Sequence, residues 1–167
     1  MSTRLAVLVA AVVGVLLVVR LSVAEPFAIP SDSMAPTLSR GDHVLVDKLA
    51  YRGRATPRRG ELVVFRAPGT GEIMLKRVVA VGGDTVAIED GVLIVNGARR
   101  LEPYADPDAI DGVYFGPVTV AAHSVFVLGD SRGDSTDSRS FGSVATSDLI
   151  GRARARIWPP SRWGRLR

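Results

Sequence analysis
Fifteen consecutive apolar residues, Leu5 to Val19 (LAVLVAAVVGVLLVV), restrict this chain more than any other feature, because a helix apolar on every side has no place on the surface of a small water-soluble domain. If Arg20 snorkels, the run continues through Leu21-Ser22-Val23-Ala24 to about 20 residues, the length that crosses a ~30 Å hydrocarbon core. Arg4 and the amino terminus precede it, so the positive-inside rule places the first residues in the cytoplasm and everything from Glu25 onward outside. A short charged start, an apolar stretch and the small-residue end Ser22-Val23-Ala24 also describe a cleavable signal peptide. The retained anchor is preferred, since the run is at the top of the signal-peptide length range. Both readings export the remainder. The chain divides into a cytoplasmic N-terminus (1–4), a transmembrane anchor (5–24) and an extracytoplasmic domain (25–167).

At 167 residues the expectation is one domain plus this appendage. A content of 47% hydrophobic and 23% charged residues excludes a disordered chain. Cysteine is absent, which excludes a disulfide framework, a thiolate nucleophile and Cys-ligated zinc or iron–sulfur sites. The net charge of +4 suits anionic lipid or nucleic acid. Yet aromatic residues are only 6%, no RNA- or DNA-binding motif occurs and the arginines are scattered, so nucleic acid is not an expected partner. The arginines from Arg152 to Arg167 read as a solvated or lipid-facing tail. Of 21 basic residues only two are lysines, Lys48 and Lys76.

Behind the anchor, three prolines among Ser and Asp in EPFAIPSDSMAPTLSRGD argue for an extended or turning connection. Short β-branched runs follow at 43–47, 61–66, 74–81, 84–88 and 92–95, bounded by Gly, Pro or Asp, with two more at 118–120 and 124–128. Asp90-Gly91 and Asn96-Gly97 mark tight turns. Helical periodicity of useful length is missing outside the anchor, so the exported body should be all-β or nearly so. Two stretches break the pattern. Ala98 to Gly116 reads as a long surface loop, of the kind that is often functional, and Gly129 to Gly142 (GDSRGDSTDSRSFG) as a polar loop.

With no cysteine and only His43 and His123, few routes to catalysis remain. Both histidines read as strand-edge or turn residues, and no pair has zinc-ligand spacing. Lys76 is the anomaly, because strand alternation puts it on one face with Met74 and Val78 while Arg77 points the other way. Turned inward, it would be desolvated, its pKa lowered, and it could serve as a neutral general base. If the apolar face is partial, its head group reaches water instead. Lys48, at a strand end, reads as solvated. The nucleophile that a lysine base needs is offered by Ser31 and Ser33 in PSDSMAPTL. On an extended segment these share a side about 6.5 Å apart, so one hydroxyl can attack a carbonyl while the other donates to the oxyanion. Taken alone, a serine between prolines is a turn residue.

PSDSMAPTL, GDHVLVDKL, RGELVVFRAP, MLKRVVAVGGD and GDSRGDSTDSRSFG occur in this order. In that arrangement, from Ser31 to about Trp158, the chain resembles the bacterial type I signal peptidases (leader peptidases), which are Ser–Lys serine proteases. The resemblance implies a mostly β fold, a compact all-β barrel or sheet domain behind one N-terminal transmembrane helix, with no room for an inserted second domain. It makes Ser33 the nucleophile, Lys76 the general base, and the Ser31 hydroxyl with the Ser33 backbone N–H the oxyanion hole. Ser135 matches a serine that orients the lysine. Asp137 and Arg139 match an acid and a base that hold the site's geometry, and Asp130 and Arg132 match further structural polar positions. The family's usual GDNRDNSxDSR differs here at Ser131, Gly133 and Asp134, none of which is assigned to chemistry.

The implied activity is removal of N-terminal signal peptides from exported preproteins, with neither cofactor nor metal. The implied location is the cell membrane, single-pass, with the catalytic domain outside, against the bilayer and near the export translocon. Phe27 and Ile29 are candidates for the pockets that take small residues at −3 and −1, or, with Met34, for a lipid-touching patch. Rival readings are a relative dedicated to a pilus or conjugation substrate, a self-cleaving repressor-type protease, and a non-catalytic membrane-anchored β-domain. The anchor counts against the self-cleaving type, and an intact Ser33 and Lys76 count against the non-catalytic domain.

Overall fold
A computed structural model of the protein describes residues 23–53, 55–105 and 114–166, together with the isolated positions 5, 7, 9, 12 and 14. Most of the expected anchor lies outside these residues, and among the described residues no helix is long and apolar enough to cross a membrane. From Ala24 onward the regular structure is antiparallel β, apart from a single turn of α-helix, α1 (Ser138–Phe141), and short 3-10 turns; the described positions 5, 7, 9, 12, 14 and 23 are helical.

Eight strands form the principal sheet: β1 (Ala24–Ala28), β2 (His43–Asp47), β3 (Leu62–Arg66), β4 (Ile73–Val81), β9 (Ser124–Leu128), β10 (Val144–Ala145), β11 (Leu149–Trp158) and β12 (Gly164–Arg165). Their order is β1-β2-β11-β3-β4-β9-β10, with β12 paired to β11. The four strands between β4 and β9 make a second sheet: β5 (Thr85–Glu89), β6 (Val92–Val95), β7 (Ala98–Arg99) and β8 (Phe115–Thr119), in the order β7-β6-β5-β8. The two expected turns close its hairpins. Asp90-Gly91 and Asn96-Gly97 all have positive φ, the backbone that a two-residue hairpin turn needs and that Asn, Asp and Gly supply.

Each face of the principal sheet is packed. Val44, Val46, Leu62, Val64 and Leu75 join Ile29, Met34 and Leu38 in one cluster. Val63, Phe65, Val78, Val125 and Val127 form another around Phe141. A third cluster, Val86, Ile88, Leu93 and Val95 with Val79, Phe126 and Leu128, fastens the second sheet to β4 and β9.

Two expectations need correction. The arginine-rich C-terminal stretch is not a tail: its first part is β11, a ten-residue strand between β2 and β3. Its arginines are tolerated there because each finds a carboxylate, Arg152 on Glu61, Arg154 on Asp47 and Arg156 on Asp42. The stretch from Ala98 to Gly116 is not wholly loop, since its ends are β7 and the start of β8; residues 106–113 lie outside the described residues.

Candidate active site
Ser31 and Ser33 stand on a turn rather than on an extended segment. Ala35 N donates to the Asp32 carbonyl at 2.8 Å and Leu38 N to the Met34 carbonyl at 2.8 Å, while Met34 and Leu38 anchor the turn in the core. Curling draws the two hydroxyls together, so that Ser31 Oγ lies 3.2 Å from Ser33 Oγ.

Lys76 occupies the middle of β4, opposite Val63 of β3, and is 5% exposed. Its head group does not reach water but turns to the Ser33 turn, where Nζ donates to Ser33 Oγ at 2.5 Å. Burial drives its pKa below the ordinary lysine value. Asp137, Asp130 and Glu72 oppose the shift and Arg139 reinforces it, but desolvation prevails. The result is a lysine biased toward its neutral form and touching a serine hydroxyl.

Arg77 points to the other face of β4, as alternation requires, yet it too is buried. Its guanidinium forks onto Asp130, Nε to Oδ1 at 2.8 Å and Nη2 to Oδ2 at 2.7 Å, and Nη1 donates to the Gly60 carbonyl at 2.9 Å. Thr37 Oγ1 donates to Asp130 Oδ2 at 2.5 Å, which ties the serine turn to the same carboxylate. Asp130 therefore supports the site from beneath, through residues that sequence reading left unassigned. An arginine inside an otherwise apolar strand was the available signal for this pair.

In the polar loop, Asp137 N-caps α1, accepting from Arg139 N at 3.2 Å, and also accepts from Gly129 N at 3.0 Å. Arg139 Nε returns to Asp137 at 2.9 Å, and its Nη2 donates to the Arg132 carbonyl at 2.5 Å. Arg132 is held from outside the loop: Nη1 and Nη2 donate to Glu102 at 2.7 and 2.6 Å, and Nε to the Gly129 carbonyl at 3.0 Å. Ser135 Oγ is buried and has no hydrogen-bond partner among the described residues; it rests against Gly129. Glu102 belongs with Asp130 and Arg132 in bracing the site, although it lies in the stretch that reads from sequence as surface loop.

These groups open onto a cleft of about 430 Å³ lined by Ser31, Ser33 and Lys76 and, on its apolar side, by Phe27, Ile29, Met34 and Leu75. Ile29 and Met34 are core residues, 4% and 1% exposed, so they floor the cleft rather than touch lipid. Neither histidine takes part. His43 lies beside the Gly41 carbonyl and His123 in an exposed turn at positive φ.

Known proteins resemble this chain over most of its length. The family described as signal peptidase, peptidase S26, matches residues 2–158. The signal peptidase I of Mycobacterium tuberculosis is 37% identical over 202 residues, covering 87% of this chain and 68% of its own. A probable signal peptidase I of a Synechocystis strain is 41% identical over 155 residues, covering 89% and 69%. Among solved structures, a signal peptidase I from Enterococcus faecalis superposes with a TM-score of 0.52 at 28% identity, covering 60% of this chain and 98% of that one.

Proposed function
The chain belongs to the signal peptidase family, peptidase S26, and on that premise we propose that Ser33 and Lys76 are the dyad with which it cleaves signal peptides from preproteins. It is a serine endopeptidase of the type I signal peptidase class. The observation that carries the assignment of the dyad is the 2.5 Å hydrogen bond from Lys76 Nζ to Ser33 Oγ within a cleft of about 430 Å³.

The chemistry follows from the geometry. Neutral Lys76 takes the Ser33 proton as Oγ attacks the scissile carbonyl, and the tetrahedral oxyanion is met by the Ser31 hydroxyl and the Ser33 amide. Protonated Lys76 then gives its proton to the leaving amine, and as a base once more it activates the water that releases the acyl-enzyme. Asp130, Arg132, Asp137 and Arg139 keep the two reacting side chains in register, whereas Ser135, expected to orient the lysine, has a hydroxyl with no hydrogen-bond partner among the described residues and contributes by packing against Gly129. The apolar cleft floor of Ile29, Met34 and Leu75 beside Phe27 suits small substrate side chains at −3 and −1. Pairing of the extended substrate with neighbouring backbone supplies its alignment.

Residues 5–24 form the membrane anchor in this reading, with 25–167 outside the cell membrane near the export machinery, supported by the apolar run. The Val23 carbonyl already accepts from Lys48 N, the residue after β2, and Phe27 lines the cleft. Counted from Ala24, the last residue of the anchor and the first of β1, three residues of strand, about 10 Å, would therefore separate the anchor from the cleft, and a substrate whose own apolar segment is embedded could reach it.

The test is cleavage of a preprotein peptide with Ala at −3 and −1 by the detergent-solubilised full chain, wild type beside Ser33→Ala. Cleavage after the −1 residue by wild type only supports the assignment. Cleavage by a folded Ser33→Ala variant refutes it.

A further inference from the structure
The segment 100–105 leaves the second sheet and reaches the polar loop through charges that are almost wholly buried. The side chains of Glu102 and Arg132 are 8% and 4% exposed. Tyr104 donates its hydroxyl to Glu102 at 2.9 Å, and its ring covers the Arg77 guanidinium at 3.9 Å from the ring centre. Both residues thus contact an arginine that supports the dyad. We propose that Glu102 and Tyr104 are positioning residues for cleavage, holding Ser33 and Lys76 in register from the second sheet; this rests on the reading of those two residues as the dyad.

Two short paths connect them to the reacting atoms. Glu102 fixes Arg132, Arg132 fixes the Gly129 carbonyl, and Gly129 is the surface on which the Ser135 side chain and the Ser33 carbonyl rest. Tyr104 caps Arg77, Arg77 holds Asp130, and Asp130 holds Thr37, four residues beyond Ser33. A buried, bidentate carboxylate–guanidinium pair costs desolvation that its own attraction barely offsets, so stability alone is a poor reason for it. Bidentate geometry does fix orientation, and a displacement of about 1 Å at the reacting atoms is enough to cost about 10²-fold in rate.

Steady-state cleavage by Glu102→Gln across pH, read beside its thermal midpoint, tests the proposal. The control is Asp84→Asn, which loses a largely buried carboxylate bound to Arg59 and Asn96 at the base of the second sheet. Glu102→Gln is expected to lower kcat by about 10- to 100-fold with KM within about threefold, while Asp84→Asn loses thermal stability and keeps its kcat. The pH profile separates positioning from through-space charge. Asp137, Asp130, Glu72 and Arg139 are the charged groups acting on Lys76, and Arg132, Tyr104 and, through its ring, Arg77 surround Glu102. A loosened loop admits water to Lys76 and moves the acid limb of kcat to higher pH, whereas simple removal of a negative charge would move it lower.

If Glu102→Gln fails to fold, Tyr104→Phe, which loses only the hydroxyl, is expected to show the same signature in smaller degree. A folded Glu102→Gln with kcat within twofold of wild type, or an acid limb moved lower, overturns the proposal. Should wild type itself fail to cleave the peptide, the dyad reading is what has failed. An NMR titration of Lys76 in both proteins then still decides whether Glu102 shapes its surroundings, an unchanged titration counting against the proposal.

Discussion

Replacing Gly129 by alanine isolates how closely the catalytic register is packed. A methyl group at that position would lie 2.2 Å from Ser135 Oγ, 2.5 Å from Ser135 Cβ and 2.6 Å from the Ser33 carbonyl oxygen. Ordinary contact begins at 3.4 Å, so the nearest neighbour must retreat by about 1.2 Å (3.4 less 2.2), and the Ser33 carbonyl by about 0.8 Å (3.4 less 2.6). Gly129 does not have the positive φ that disfavours other residues, so the cost is purely steric. Overpacking of this kind costs about 1–3 kcal/mol, and at about 2–4 °C per kcal/mol the midpoint should fall by about 2–12 °C. The rate should suffer far more. In the proposed dyad Ser33 carries the attacking oxygen, and a misplacement near 1 Å is enough for about a 10²-fold loss in kcat. Peptide cleavage kinetics and calorimetry on the same preparation measure both. A folded Gly129→Ala with kcat within threefold of wild type would refute the claim that Gly129 sets the position of Ser33.

Two other substitutions probe the general base and the oxyanion hole. Lys76→Met should abolish cleavage yet stabilise the fold at neutral pH: the unfolded lysine keeps its proton up to about 10.5, whereas burial disfavours the charged form in the folded state. The penalty is therefore absent above 10.5 and grows as pH falls toward the depressed folded value, so the advantage in midpoint should shrink on raising pH toward 10.5; no gain at pH 7 would contradict the burial argument. Ser31→Ala should lower kcat by about 10²–10³-fold with little change in midpoint, as for loss of one oxyanion donor. A loss below threefold would remove Ser31 from the oxyanion hole.

Most of the strands could be read from the sequence because their signal is local. The runs at 43–47, 92–95 and 124–128 coincide with β2, β6 and β9, where β-branched residues lie between Gly and Asp punctuation. β11 was missed because LIGRARARIW carries charge where a central strand is expected to be apolar, and its partners Glu61, Asp47 and Asp42 are remote in sequence. β1 was missed because Glu25 and Pro26 stand inside AEPFA, where a proline demotes a strand and reads as part of a connection. At the site, strand alternation correctly separated Lys76 from Arg77, but alternation cannot say whether a face is buried, and here both are. The turn that brings Ser31 and Ser33 within 3.2 Å depends on Met34 and Leu38 entering the core, a tertiary event. Glu102 was invisible for the same reason, being 30 residues from Arg132.

The proposed dyad also poses an electrostatic problem that the arginines resolve. Three carboxylates, Asp137, Asp130 and Glu72, act on Lys76 in the direction that would keep it charged and useless as a base. Two of the three are occupied by guanidinium groups: Asp130 by Arg77 and Asp137 by Arg139. Paired in this way each carboxylate presents little net charge to the lysine, and desolvation is left to prevail. Buried ion pairs add little to stability on balance, so their value here is in keeping the base neutral. The consequence is a signed prediction. Wild-type kcat should rise with pH through the depressed pKa of Lys76. Arg139→Gln, which leaves the Asp137 charge uncompensated, should move that acid limb to higher pH. Arg139→Lys, which loses the same forked hydrogen bonds but keeps the positive charge, should leave it close to wild type. If both variants shift alike, lost packing rather than charge is responsible; if neither shifts, the arginine is not what holds Lys76 neutral.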